Sequence, residues 1–123
     1  MSTATADYTD TQRVEDRLKN SAKKIENMSG KVALAKQILD FMSERKRMCL
    51  AEFTAPLLAT HSAAAAETLA RTCPEYKAAL AQLEHQYQHA EATLGEYRGA
   101  QAMFDAARSL LSFERESLRQ LEG

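Results

Sequence analysis

The sequence predicts an all-α protein, built as a long, coiled-coil-like antiparallel helical hairpin with a short corner helix. Glycine and proline are scarce, with four and two in 123 residues, and no stretch shows the alternation of β-branched and polar residues that is typical of strands. Two long segments place apolar residues at steps of four and three, the period at which helices pair. Both prolines fall between these segments, where a helix must end or begin.

Length and composition indicate one globular domain. Hydrophobic residues make up 45% and charged residues 27% of the chain, with a net charge of −1, which is ordinary for a soluble protein. We expect a disordered N-terminus at 1–8 and a single helical domain at 9–123. Its helices are predicted at about 11–53, 56–71 and 74–121. The start "MSTATADYTD" lacks the basic and apolar segments of a signal peptide, and no run approaches the 18 apolar residues of a membrane span.

The first helix is predicted to begin near Thr9, because Thr9 and Gln12 have the spacing of a capping box. Its apolar stripe keeps one phase across Ser29 and Gly30, which favours a single helix. A break at these two residues is the alternative, because glycine in a helix costs about 1 kcal/mol relative to alanine. The predicted stripe comprises Val14, Leu18, Ser21, Ile25, Met28, Val32, Ala35, Leu39, Met42, Lys46, Cys49 and Phe53.

Pro56 ends this helix, because proline lacks a backbone donor and clashes with the preceding turn. Thr54 could cap a short helix that begins near Pro56, and a later start behind Thr60 or Ser62 is the alternative. The segment is rich in alanine, so it can approach another helix closely. Pro74 suits the first position of the last helix, where its missing donor is not needed. Two cysteines do not make a disulfide framework, and we expect both to be reduced thiols.

The last helix carries a second stripe that changes character after Tyr97. The stripe is predicted at Tyr76, Leu80, Leu83, Tyr87, Ala90, Leu94, Tyr97, Gln101, Phe104, Arg108, Leu111, Arg115 and Leu118. Beyond Tyr97 one of its two columns becomes polar, and the apolar face is expected to move to Ala107, Leu110 and Leu121. Arginines beside such a narrow seam can lay their methylenes along it and keep the guanidinium in water. Two helices alone leave apolar surface uncovered, so we expect a homo-oligomer.

Charge is distributed unevenly along the chain. Residues 1–50 hold ten Lys/Arg against seven Asp/Glu, and residues 51–123 hold six against ten. This asymmetry is compatible with an anion-binding surface and equally with attraction between antiparallel helices. The most basic stretch is 17–36, with six basic groups against one acidic group, and "ERKR" follows at 44–47. Clustered Lys/Arg of this kind bind phosphate, and solvated helix faces look similar.

The sequence gives no support for catalysis. His85 and His89 stand one helical turn apart, but a metal site needs three or four ligands, and no third ligand has a matching spacing. The chain has no glycine-rich phosphate loop, no triad spacing and no Glu-x-x-His pair of the kind that binds metals in helical bundles. We therefore predict a protein that is not an enzyme, with no cofactor, no metal and no small-molecule substrate.

The half of the chain that begins "ATHSAAAAETLARTCPEY" resembles small helical proteins from the recombination and replication modules of tailed phages, of the UvsY-like recombination mediator type. The matching elements are Pro74-Glu75-Tyr76, Arg108-Ser109, and Glu114-Arg115 with Arg119. The resemblance implies a non-enzymatic accessory factor in the cytoplasm of a bacterial host. Such a factor oligomerises, binds single-stranded DNA and helps to load a recombinase onto DNA covered by single-strand-binding protein.

The resemblance also implies which side chains bind nucleic acid and which partners the protein has. The expected partners are further copies of the chain and single-stranded DNA or a recombination or single-strand-binding protein, with no membrane partner. The alternatives are a coiled-coil interaction adaptor, a small phage inhibitor of a host defence protein, and a secretion partner of the helical-hairpin kind. The predicted nucleic-acid-binding residues are Arg108, Arg115, Arg119, Arg45, Lys46 and Arg47.

Overall fold

A computed structural model describes residues 10–122, which form helices joined by short turns. The elements are α1 (Asp10–Thr54), a 3-10 helix (Ala55–Ala59), α2 (Ala63–Thr72) and α3 (Pro74–Glu122). No strand occurs among these described residues. The all-α prediction is therefore confirmed. The predicted disordered segment 1–8 and the predicted cap at Thr9 lie outside the described residues.

The helix α1 is continuous through Ser29 and Gly30, so the alternative break between two helices is absent. All twelve residues of its predicted stripe, from Val14 to Phe53, are buried or half-buried. One of them, Ser21, is a buried polar residue. Its hydroxyl donates to the carbonyl oxygen of Arg17 in the same helix, which satisfies the polar group inside the seam.

At the corner between the long helices, the short α-helix begins later in the chain than Pro56. Thr54 stands at the N-cap position of the 3-10 helix, but its side chain makes no capping hydrogen bond, because its hydroxyl donates to the Leu50 carbonyl oxygen at 2.7 Å. The residues around Pro56 form the 3-10 helix instead. Ser62 caps α2, accepting a hydrogen bond from the Ala65 amide at 3.3 Å. A short helix therefore does begin beside Pro56, but it ends at Ala59. The α-helix that runs to Thr72 begins at the later predicted start, behind Ser62.

The short helix α2 contacts the 3-10 helix, and Ala66 and Ala70, one turn apart, are fully buried. The junction with α3 is a single residue, Cys73. Its amide donates to the Ala70 carbonyl at 3.1 Å, and its own carbonyl accepts from the Lys77 amide at 3.1 Å. Cys73 therefore closes α2 and opens α3.

The described residues divide into two compact units. The first unit joins the described residues up to Lys31 with those from Gly95 onwards. In it Val14 and Leu18 of α1 pack with Ala107 and Leu111 of α3. Further along α1, Lys24 pairs with Glu96 at 3.4 Å. Later residues of α1 contact earlier residues of α3, so the two helices are antiparallel in this unit.

The second unit is Val32–Leu94. Its long-helix contacts are again antiparallel. Lys46 of α1 pairs with Glu84 of α3 at 3.8 Å. Near the corner, the rings of Phe53 and Tyr76 meet edge to face, with centroids 5.8 Å apart, a favourable aromatic geometry. These contacts fix the register of the hairpin around its corner.

The seam of α3 follows its predicted stripe as far as Tyr97, except at Tyr87, which is exposed. Beyond Tyr97 it keeps Phe104 and Leu111 of the stripe, whereas the stripe residues Gln101, Arg108, Arg115 and Leu118 are exposed. The next buried or half-buried positions are Ala100, Phe104, Ala107, Leu111 and Glu114. Two successive steps of three, from Leu94 to Tyr97 to Ala100, shift the phase of the seam. The expected move of the apolar face is correct at Ala107 and wrong at Leu110 and Leu121, which are exposed.

Candidate nucleic-acid interface and exposed apolar rows

Arg108, Arg115 and Arg119 share one flank of α3, because they stand seven and eleven residues apart on a helix. We call these three residues the arginine flank. Because the buried seam of α3 shifts after Tyr97, these three arginines lie outside the seam and are exposed. Arg108 pairs with Asp105 at 4.0 Å, and its guanidinium carbon lies 5.9 Å from the centroid of the Phe104 ring. Phe104 therefore gives Arg108 an apolar platform and a cation–π contact.

The ion pairs of the arginine flank are weak and local. Arg119 pairs with Glu116, three residues earlier, at 3.3 Å, and both side chains are mostly exposed. Exposed pairs of this kind contribute about 0–1 kcal/mol, so they can exchange for a phosphate. Among the described residues, Arg115 has neither an ion pair nor a hydrogen bond. The flank thus presents one free guanidinium and two weakly held ones.

The other three predicted residues, Arg45, Lys46 and Arg47, lie in the second unit. Arg45 donates to the Gln86 side-chain oxygen at 3.1 Å, and Lys46 makes the pair with Glu84 already described. Arg47 pairs with Glu44 in its own helix at 3.7 Å. Two of the three side chains therefore link α1 to α3. The six predicted residues fall into different units, three in each.

Four further cations of the first unit were not predicted as site residues. Arg17, Lys19, Lys23 and Lys31 are exposed on α1, and within residues 10–122 none has an acidic partner. Their neighbour Lys24 is the exception. A signal for them was present in the sequence, because 17–36 is the stretch with six basic groups against one acidic group.

The histidines and the titratable groups with shifted pKa values lie apart from the arginine flank. His85 and His89 are both exposed, and in the described part of the chain no three His, Cys, Asp or Glu side chains could hold a metal ion together. The pKa of Tyr87 is raised, chiefly by its hydrogen bond to Glu91. The pKa of Glu75 is lowered, chiefly because the Cys73 thiol donates to its carboxylate at 2.8 Å.

An apolar row on α1 is exposed in the second unit. Leu34, Phe41 and Met48 repeat at intervals of seven, and each is more than half exposed. Half-buried Ile38 and exposed Arg45 lie between them on the same face. We call these five residues the α1 row. Large apolar side chains in a continuous exposed line are typical of protein interaction surfaces.

A second exposed row lies on α3 in the first unit, roughly 110° around the helix from the buried seam by the helical period. Its large members are 57% (Met103), 47% (Leu110), 70% (Phe113) and 84% (Leu121) exposed. Small residues stand between them, of which Gly99 and Ala106 are exposed and Ser117 is half-buried. We call the whole set the α3 row: Gly99, Met103, Ala106, Leu110, Phe113, Ser117 and Leu121.

Comparison of the chain with protein-family models, curated proteins and solved structures gave no match. No described helix combines the length and the apolar character that crossing a bilayer requires.

Proposed function

We propose that this chain is a non-enzymatic, self-associating helical accessory protein that binds single-stranded nucleic acid through the arginine flank of α3. The observation that carries the proposal is the alignment of Arg108, Arg115 and Arg119 on one exposed flank, with Arg115 unpaired. Phosphates bind such cations by charge neutralisation and release of counterions. The resemblance to phage recombination proteins supports the same role, in the cytoplasm of a bacterial host.

The lysines of α1 extend the cationic surface of the first unit. Lys19 and Lys23 are four residues apart, so they occupy one face of α1, and neither has an acidic partner among the described residues. Cations of this kind contact the phosphate backbone of the nucleic acid and not its bases. We therefore expect little sequence preference. Self-association would multiply weak contacts by presenting several copies to one strand.

The test is a salt titration of binding to a 40-nucleotide single strand, followed by fluorescence anisotropy. The variant Arg108→Gln with Arg115→Gln removes two phosphate contacts, so the slope of log K against log salt should fall by about 1.4, since each contact contributes about 0.7. The matched control is Arg71→Gln with Lys77→Gln, two exposed cations of the second unit that are not among the predicted site residues. This control removes the same charge and should keep the slope.

Two results would overturn the proposal. One is the absence of wild-type binding at low salt. The other is a variant whose melting temperature falls while its salt slope stays at the wild-type value, because the arginines would then support the fold and not a ligand. A loss of slope equal in the variant and its control would show a bulk charge effect, and would remove the arginine flank as the site.

A second candidate function is a coiled-coil interaction adaptor, and the α1 row favours it. Three large side chains in heptad spacing present the anchors that an amphipathic helix of another protein recognises. A recombinase or a single-strand-binding protein would be such a partner. This candidate takes the place of the first one if the wild-type chain does not bind the single strand.

A further inference from the structure

The sizes of the side chains in the α3 row are complementary to those of a second copy that is related by a two-fold axis at Leu110. Met103 and Ser117 stand seven residues before and after Leu110, and Gly99 and Leu121 stand eleven before and after it. Each of these pairs joins a large residue to a small one. Ala106 and Phe113 come within one residue of the same symmetry and repeat the pattern.

We propose that the α3 row is the interface of a two-fold symmetric homodimer in which two α3 helices pack antiparallel, centred on Leu110. In such an isologous contact the same patch serves both copies, so every large side chain of one row except Leu110 meets a small one of the other. Phe113 packs over Ala106 of the partner subunit, and Leu121 packs over Gly99 of the partner subunit. Leu110 meets its own copy on the symmetry axis.

The space that Leu121 needs is open in the first unit. A groove of about 520 Å³ runs beside Gly99, Ala100 and Met103 of α3, with Arg17 and Lys24 of α1 along its edge. A Cβ atom placed on Gly99 meets nothing within 4 Å. The last turns of α3 from a second copy reach this groove under the proposed symmetry, and the 84% exposure of Leu121 is removed there.

Charge complementarity points to the same occupant. Arg17 lines the groove and has no acidic partner among the described residues. Glu114 has a buried carboxylate oxygen, Oε2, with no hydrogen-bond partner. The two-fold places Ser117 of the partner subunit opposite Met103, and Glu114 stands three residues before Ser117. Under the proposed symmetry the Glu114 backbone lies about one helical turn from the groove that Arg17 lines. Because Oε2 is buried in its own hairpin, the Glu114 side chain turns out of the seam when the copies associate, and the carboxylate and the guanidinium then pair once in each half of the dimer.

The α1 row does not have this self-complementarity. A two-fold through Phe41 sets Phe41 against its own copy and Leu34 against Met48, so large residues meet large ones. A parallel pair in register sets Arg45 against Arg45. The α1 row therefore favours a partner other than a second copy, and substitutions in it serve as the matched controls for the dimer interface.

Sedimentation equilibrium and light scattering of the full-length chain test the interface. The wild type should be a dimer at micromolar concentration. Phe113→Ser should raise the dimer dissociation constant at least tenfold, and Phe41→Ser, an equally large exposed residue of the α1 row, should leave it unchanged. Ala106→Phe should weaken the dimer, and adding Phe113→Ala to it should restore association, because the exchange of sizes recreates the pair. Circular dichroism checks that each variant remains helical.

A cross-link tests the symmetry axis independently of any loss of stability. In a Cys49→Ala, Cys73→Ala background, Leu110→Cys should form an intermolecular disulfide on mild oxidation, because the two Cβ atoms face each other on the axis. Met48→Cys should not. A monomeric wild type, dissociation by Phe41→Ser but not by Phe113→Ser, no restoration by the size exchange, or no cross-link at Leu110 would each overturn the proposal. Nucleic-acid binding is measured separately, so either proposal can fail while the other stands.

Discussion

Gly30 offers a direct test of the continuous helix α1. It is helical, its φ is not positive, and a Cβ added to it meets nothing within 4 Å. Gly30→Ala should therefore stabilise the protein by about 1 kcal/mol, the difference in helix propensity, through lower entropy of the unfolded chain. At about 2.1 cal/mol/K of unfolding entropy per residue, 123 residues convert this gain to a rise of about 4 °C in melting temperature.

The assay is thermal unfolding followed by circular dichroism at one fixed protein concentration, because association shifts the apparent stability. Ala33→Gly, at an exposed position one turn further along α1, is the matched control and should lower the melting temperature by a similar amount. A melting temperature that Gly30→Ala leaves unchanged or lowers would refute the reasoning. It would mean that α1 is interrupted at Gly30, or that another chain packs closely against this position.

Two further predictions concern the seam and the corner. Leu111→Ala should destabilise the protein by about 2–3 kcal/mol in thermal unfolding, because Leu111 is 5% exposed and packs beside Val14. The control Leu118→Ala, at 55% exposure, should cost less than about 1 kcal/mol. Equal losses would contradict the phase assigned to α3. Cys73→Ala should raise the pKa of Glu75 towards its ordinary value in an NMR titration, because it removes the thiol donor, while Cys49→Ala should not. Since the Glu75 pKa is lowered in the folded chain, its stabilising contribution is present above the ordinary carboxyl pKa and is lost as the pH falls through the lowered value.

The sequence predicted the seam of α1 residue by residue, because one uninterrupted period of four and three leaves a single face to bury. It also indicated the ends of the helices, since Pro56 and Pro74 act through their own backbone chemistry. A start behind Ser62 was one of three that the residues allowed for α2, beside a start near Pro56 and one behind Thr60. Local hydrogen bonding decided among them, because the Ser62 side chain accepts from the Ala65 amide, whereas the hydroxyl of Thr54 donates within α1.

Only the tertiary structure decided what happens after Tyr97. The residues there support two overlapping periods, and the four-three count alone favoured the one through Gln101, Arg108 and Arg115. Packing against Val14 keeps Leu111 of that stripe and takes Ala107 in place of Arg108, because a small apolar residue packs there at no cost of burying a guanidinium.

The same distinction applies to the candidate site. The sequence determined that Arg108, Arg115 and Arg119 share a flank, because helical period alone fixes which residues face the same way. It could not determine that Arg115 is unpaired, since pairing depends on which carboxylates lie within a few ångströms. Nor could it show that the α1 row and the α3 row are exposed. Period tells which residues share a face, and the packing of one helix on another decides which face is left open.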